Sequence, residues 1–152
     1  MTLMIDRSVL FHPNQFPDLE SWKILEQDAN SLALSDIDVS RIQFIPILLQ
    51  GDEAGISGEE NLIRLKQLGY IRLDTQILWT IWRNQSILPK LWKQSPQGNC
   101  GPIYFEGTIL AGPGGHRCVF FLYCLSGHWA WDISYLTSTC VLGCESAVLI
   151  PV

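Results

Sequence analysis

The chain has 152 residues, of which 47% are hydrophobic and 16% charged, and its formal net charge is −5. This balance excludes intrinsic disorder and predicts a single domain over residues 1–152 with one buried core. The sequence contains no run of eighteen apolar residues, so we expect no membrane-spanning helix and no membrane partner.

The start of the chain predicts a cytoplasmic protein. Asp6 and Arg7 stand where a signal peptide needs an apolar run. The five cysteines are an odd number, and most of them lie in apolar contexts. They therefore fit buried free thiols in a reducing compartment.

The first half of the chain favours helices. Residues 3–13 alternate loosely and predict a short strand. Residues 14–30 predict a helix that Asp18 caps, because apolar side chains recur at helical spacing after it. Residues 42–49 resemble a buried strand, which Pro46 confines to an edge or a bend.

The next helix has clear boundaries. Ser57 and Glu60 have the spacing of a capping box, and Gly69 follows the last apolar position. The pattern predicts a helix over residues 58–68. It is expected to bury three leucines, Leu62, Leu65 and Leu68.

Asp74 is predicted to cap a further helix over residues 75–85. Its apolar face consists of Ile77, Leu78, Ile81 and Trp82. Trp79 lies to the side of this face, with Arg83 beside it, so both are candidates for surface contacts.

From Ile103 onward the apolar pattern has a period of two. It predicts four strands, over residues 103–110, 117–125, 128–136 and 146–152. Helices followed by strands with short turns predict an α+β fold. In that fold an N-terminal helical half, about residues 1–95, packs on a C-terminal antiparallel β-meander of three to four strands, about residues 100–152.

The turn at Ser126 and Gly127 decides which side chains share a face of the sheet. A two-residue turn pairs Cys118 with Tyr135 and collects the tryptophans of the second strand on one apolar face. We favour this register. A three-residue turn that begins at Leu125 is the alternative.

Zinc binding is a less favoured interpretation of the cysteines. Cys118 and Cys124 are six residues apart on one strand, or roughly 20 Å, so they share neither a disulfide nor a metal ion. The candidate zinc ligands lie instead near two turns, and they are Cys124, His128, Cys140 and Cys144. Their C-x3-H and C-x3-C spacings differ from the usual zinc patterns. We predict no cofactor.

The stretch QGNCGP around Cys100 resembles the nucleophile region of papain-like cysteine peptidases. The resemblance implies a nucleophilic Cys100, an oxyanion-binding Gln97 and a histidine base, for which His128 is the candidate. A strand pattern follows Cys100 where those families have a long helix. Asp132 cannot orient His128, because four residues on a strand span roughly 13 Å.

Residues 64–93 combine basic and aromatic side chains. Residues 1–60 carry eleven acids and three bases, whereas residues 61–99 carry six bases and one acid. The two segments are expected to neutralise each other or to be solvated, and the acidic chain makes nucleic acid an unlikely partner.

Aromatic residues and arginine also anchor protein interfaces. The sequence therefore favours a non-catalytic binding or adaptor module that uses Trp79, Arg83 and Trp92. The expected partner is another protein or a second copy of the chain. An enzyme is the less favoured interpretation.

Overall fold

A mixed sheet of seven strands organises the fold in a computed structural model, which describes residues 1–8, 11, 21–87, 100–112, 114–140 and 144–151. In chain order the elements are β1 (Thr2–Met4), β2 (Lys23–Gln27), α1 (Ala29–Leu32), β3 (Asp36–Asp38), β4 (Ile42–Ile45), β5 (Ile56–Ser57), α2 (Gly58–Leu68), β6 (Ile71–Arg72), α3 (Thr75–Arg83), β7 (Cys100–Ala111), β8 (Arg117–Leu125), β9 (His128–Tyr135), β10 (Thr139–Cys140) and β11 (Glu145–Leu149). Short 3₁₀ turns cover Val39–Arg41 and Gln85–Ile87.

The long path through the main sheet runs in the order β4, β11, β7, β8, β9. β2 pairs with the second half of β7, and β6 pairs with β11. All pairs are antiparallel except β11 with β7, which are parallel. β1 with β3 and β5 with β10 form two small separate ladders.

The predicted α+β arrangement of a helical half on a β-meander is wrong. Strands make up 44% of the structure and helices 24%. The first half of the chain supplies three strands to the main sheet, and β11 returns between β4 and β7 instead of extending the meander beside β9. The reason is burial: residues 146–149 are buried without alternation, and such a strand is stable inside a sheet, not at its edge.

The predicted helix over residues 14–30 is also wrong within the described residues. Residues 23–27 form β2, which pairs with β7 from Lys23↔Ala111 onward. Trp22 and Ile24 pack on the core while Leu25 is exposed, so the period that matters here is two. The predicted N-cap Asp18 lies outside the described residues.

The helix α2 confirms the capping prediction. Ser57 Oγ accepts a hydrogen bond from the Glu60 backbone N–H at 3.1 Å, and Gly69 ends the helix with a φ of 71°. Leu62 and Leu65 are buried as predicted. Leu68 is 50% exposed, so that part of the prediction is wrong, because the last turn of α2 projects toward a surface groove beside Pro46.

The helix α3 is the central helix of the core. Asp74 caps it, as predicted, and three of its side chains are completely buried, Ile77, Leu78 and Ile81. Trp82 packs against the same core but remains partly exposed.

The β8–β9 hairpin has the predicted two-residue turn and register. Ser126 and Gly127 both have positive φ, and Cys118 pairs with Tyr135. Phe120 and Leu122 are buried, and Trp131 of β9 packs over them in the main core. The apolar face of the hairpin is therefore the face that packs on α3.

Candidate functional site

An open cleft of about 590 Å³ lies between the N-terminal strand region and α3. The residues that line it are Met4, Asp6, Gln76, Trp79, Thr80, Arg83 and Asn84. This volume falls within the usual range of ligand sites. Two of the three binding residues predicted from the sequence, Trp79 and Arg83, thus lie in one concave surface.

Helical periodicity explains why α3 presents these side chains together. Gln76, Thr80 and Arg83 recur at intervals of four and three residues, so they lie on one face of the helix, with Trp79 beside them. The completely buried apolar side chains of α3, Ile77, Leu78 and Ile81, occupy the opposite arc. One face of α3 therefore packs in the core, and the other lines the cleft.

The aromatic part of the cleft is held rigid by stacking. The ring centroids of Trp79 and Trp82 are 5.1 Å apart, with an angle of 27° between the ring planes. Both rings also pack against the main core. Trp79 therefore offers a preformed apolar surface that needs little ordering when a partner binds.

Two polar groups of the cleft have bonding capacity left over. Arg83 is exposed and forms no ion pair with any residue that the structure describes. Gln76 is only 7% exposed, and its Oε1 has no hydrogen-bond partner among the described residues. A buried amide oxygen without a hydrogen-bond partner destabilises the protein. If the Gln76 amide turned toward a bound molecule, a donor of that molecule would bond to this oxygen and recover the lost free energy.

Arg83 differs from the other bases that the structure describes in its segment, which are Arg64, Lys66 and Arg72. Arg64 pairs with Asp52 at 2.6 Å, and this hydrogen bond holds the pKa of Asp52 below its usual range. Lys66 pairs with Glu26 at 2.9 Å. The expectation that the acidic first segment neutralises the basic one is confirmed for these pairs, which leave Arg83 as a cation directed to the cleft.

The remaining candidate of the binding set, Trp92, lies outside the described residues. The sequence also missed Met4, Asp6 and Gln76 as lining residues. The N-terminal strand meets α3 only through tertiary packing, so no local pattern could have shown the first two. Gln76 could have been found from its i, i+4 spacing to Thr80 and its i, i+3 spacing to Trp79.

Comparison with known proteins adds no relative. The chain matches no family model, no curated protein and no solved structure. Among the described residues, no helix is long and apolar enough to cross a bilayer. The function must be argued from the geometry of the side chains.

The four candidate zinc ligands fall into two places. Cys124 is buried next to the β8–β9 turn, and His128 is exposed at that turn. Cys140 packs in the same cluster as Val119 of β8. Val119 lies five residues before Cys124 on that strand, so the two positions are roughly 16 Å apart. Among the described residues, no group of three or more His, Cys, Asp or Glu side chains could hold a metal ion.

The candidate catalytic pair lies on two strands that are not neighbours. Cys100 on β7 is the register partner of Cys124 on β8, and His128 lies beyond it on β9. With about 4.8 Å between adjacent strands, the two backbones are roughly 10 Å apart. Asp132 Oδ1 accepts a hydrogen bond from the Ile133 backbone N–H at 2.7 Å, not from His128.

A second polar cluster surrounds Glu106, which is buried in the middle of β7. Ser146 Oγ donates to Glu106 Oε1 at 2.5 Å, and Asn61 Nδ2 donates to Oε2 at 2.6 Å. Burial raises the pKa of Glu106 to about 7, against the effect of these hydrogen bonds and of Arg72. The adjoining void of about 10 Å³ has room for about one water molecule.

Proposed function

We propose that the protein is a non-catalytic binding module, and that the cleft between the N-terminal strand region and α3 binds a segment of another protein. The observation that carries the proposal is the placement of Trp79 in one open cleft with Arg83, which has no ion-pair partner among the described residues. Aromatic rings and arginine are the side chains that most often dominate the binding energy of protein interfaces.

The side chains of the cleft define the chemistry of the partner. A carboxylate of the partner would pair with Arg83, and two parallel hydrogen bonds can form between a guanidinium and a carboxylate. An apolar side chain of the partner would cover Trp79 and the exposed Met4. A backbone or side-chain N–H would donate to Gln76 Oε1 after rotation of the amide.

Peptide selection tests this proposal because it samples many candidate partner segments at once. Random linear peptides displayed on phage are selected on the full chain, and the enriched peptides are titrated against purified variants. We expect carboxylate-bearing peptides with an apolar residue, and we expect Arg83→Glu to weaken their binding at least tenfold, about 1.4 kcal/mol. The measurement is the dissociation constant by fluorescence or calorimetry.

Arg41→Glu is the matched control, because Arg41 is exposed and does not line the cleft. Equal loss of binding in Arg41→Glu and Arg83→Glu would sink the cleft as the site. Arg83 is a better probe than Trp79, whose ring also supports the core. Sedimentation of the wild-type chain over a range of concentrations tests whether a second copy of the chain occupies the cleft instead. A dimer that Arg83→Glu abolishes would identify this second copy as the partner.

The two alternative functions keep tests of their own. A cysteine hydrolase that uses Cys100 and His128 requires a thiol that is alkylated faster than a free cysteine at neutral pH. A zinc-stabilised domain requires zinc in the purified protein.

A cytoplasmic location is part of the same proposal. It is supported by Cys118 and Cys140, which form no disulfide within the part of the chain that the structure describes. Cell fractionation with the full chain would test it, and recovery in an oxidising compartment would contradict it.

A further inference from the structure

Three side chains that can carry a labile proton meet on one side of the main sheet. Tyr104 Oη is 3.8 Å from Cys144 Sγ. Cys140 packs in the same apolar cluster as Tyr104 and Cys144. All three side chains belong to the same small apolar cluster, and none of them lines the cleft described above.

The strand pairing explains why two cysteines four residues apart are held in contact. Cys140 is anchored in β10 by its pairing with Ile56 of β5. Cys144 directly precedes β11, whose first residue pairs with Ile103 beside Tyr104 on β7. Because Cys140 and the residue that follows Cys144 are each held in a paired strand, both cysteine side chains stay in one apolar cluster, where they can form a disulfide once their sulfur atoms come together.

The two thiols have different surroundings. Cys140 is 7% exposed, whereas Cys144 is partly open to solvent. The pKa of Cys140 is raised, first by its hydrogen bond to Cys144 and then by burial. Burial also raises the pKa of Tyr104, so its hydroxyl keeps its proton and can donate to the Cys144 sulfur.

We propose that Cys140 and Cys144 form a redox-active dithiol, which hydrogen peroxide oxidises to an intramolecular disulfide. Cys144 is the attacking thiol because it is the one that solvent reaches. Cys140 is the resolving thiol because it is buried against Cys144.

The reaction balances in two steps. The Cys144 thiolate attacks one oxygen of the peroxide and the O–O bond breaks, which leaves a sulfenic acid and a hydroxide that takes up the thiol proton as water. The Cys140 sulfur then attacks the Cys144 sulfur, the S–O bond breaks, and the hydroxyl leaves with the Cys140 proton as a second water. Two thiols are oxidised and one peroxide is reduced. A dithiol reductant of the thioredoxin class would reverse the change.

The test uses the full chain, reduced and then treated with a small excess of hydrogen peroxide. We expect the intact mass to fall by two hydrogen atoms, and we expect peptide mapping to place the disulfide between Cys140 and Cys144. In Cys140→Ser the sulfenic acid has no resolving thiol, so dimedone should label Cys144. Cys118→Ser is the matched control, because Cys118 is a buried thiol of β8 and should leave the disulfide unchanged.

Three results would overturn the proposal. One is a folded wild-type chain that keeps all its thiols after peroxide treatment. Another is a disulfide elsewhere, such as between the register partners Cys100 and Cys124. The third is a folded Cys140→Ser chain without a dimedone adduct at Cys144. If Cys140→Ser does not fold, the peptide map of the wild-type chain still decides.

Discussion

Replacement of Asp74 by alanine is expected to lower the free energy of unfolding by about 4 kcal/mol. Asp74 is completely buried, and its two oxygens accept a pair of hydrogen bonds from the Arg7 guanidinium at 3.1 and 3.0 Å. Asp74 Oδ2 also accepts from Ser31 Oγ. Removal of the carboxylate would leave a partly buried cation without its counter-ion, which is the costly way to break such a pair.

The same carboxylate caps α3, which carries both the core face and the cleft face. Asp74 Oδ1 accepts from the backbone N–H groups of Gln76 at 2.9 Å and Ile77 at 3.3 Å. Asp74→Ala therefore removes a helix cap as well as an ion pair, which contributes about 1 kcal/mol of the expected loss.

Urea unfolding followed by tryptophan fluorescence measures the effect. Asp38→Ala is the matched control: Asp38 caps the exposed 3₁₀ turn over residues 39–41 and should cost at most about 1 kcal/mol. Asp74→Asn keeps a capping oxygen but loses the charge, so its loss should lie between the two. Equal losses for Asp74→Ala and Asp38→Ala would show that the ion pair contributes nothing.

Replacement of Glu106 by glutamine should remove a large part of the pH dependence of stability. Burial raises the pKa of Glu106 to about 7 in the folded chain, against an ordinary value of 4.5. Between these two values the folded chain holds a proton that the unfolded chain has lost. The stability that the protonated Glu106 contributes is therefore fully present below about pH 4.5 and is lost as the pH rises through about 7. The free energy of unfolding falls by about 3 kcal/mol over this range.

Glutamine mimics the protonated carboxyl group at every pH. Its amide oxygen can accept from Asn61 and its amide nitrogen can donate to Ser146. At pH 5 Glu106→Gln should thus be more stable than the wild-type chain by only about 1 kcal/mol, whereas at pH 8 it should be more stable by about 3 kcal/mol. The difference between the two proteins is the quantity to measure, because other titrating groups contribute equally to both.

Urea titrations at pH 5, 6, 7 and 8 would follow this difference, with Glu53→Gln, an exposed glutamate, as the control that should change stability little. Parallel stability curves for the wild-type chain and Glu106→Gln across this range would contradict the prediction. They would mean that Asn61, Ser146 and Arg72 stabilise the carboxylate enough to offset its burial.

The predictions from sequence were correct for features that depend only on residues close together in the chain. Ser57 and Asp74 cap α2 and α3 as predicted, because a cap is formed by backbone N–H groups only two or three residues away. The register of the β8–β9 hairpin also followed from sequence, since a two-residue turn leaves one pairing that keeps a continuous apolar face.

The error in the fold has a physical cause that local patterns cannot reveal. Residues 22–25 contain apolar side chains at spacings that fit either a helix or a strand. β7 offers an unpaired edge along residues 108–111, and pairing with that edge decides for the strand β2. Long-range hydrogen bonds thus overrode the helical pattern.

Patterns in the sequence were sufficient to predict the two capped helices, the four C-terminal strands, the hairpin register and the placement of Trp79 and Arg83 off the apolar core face of α3. Each depends on periodicity or on contacts within a few residues. Three features emerge only from long-range packing: β11 lies parallel to β7, Met4 and Asp6 complete the cleft, and Cys140, Cys144 and Tyr104 share one apolar cluster. These contacts join distant or loop-separated residues, and they form only when buried strands such as β11 find partners on both sides of the sheet.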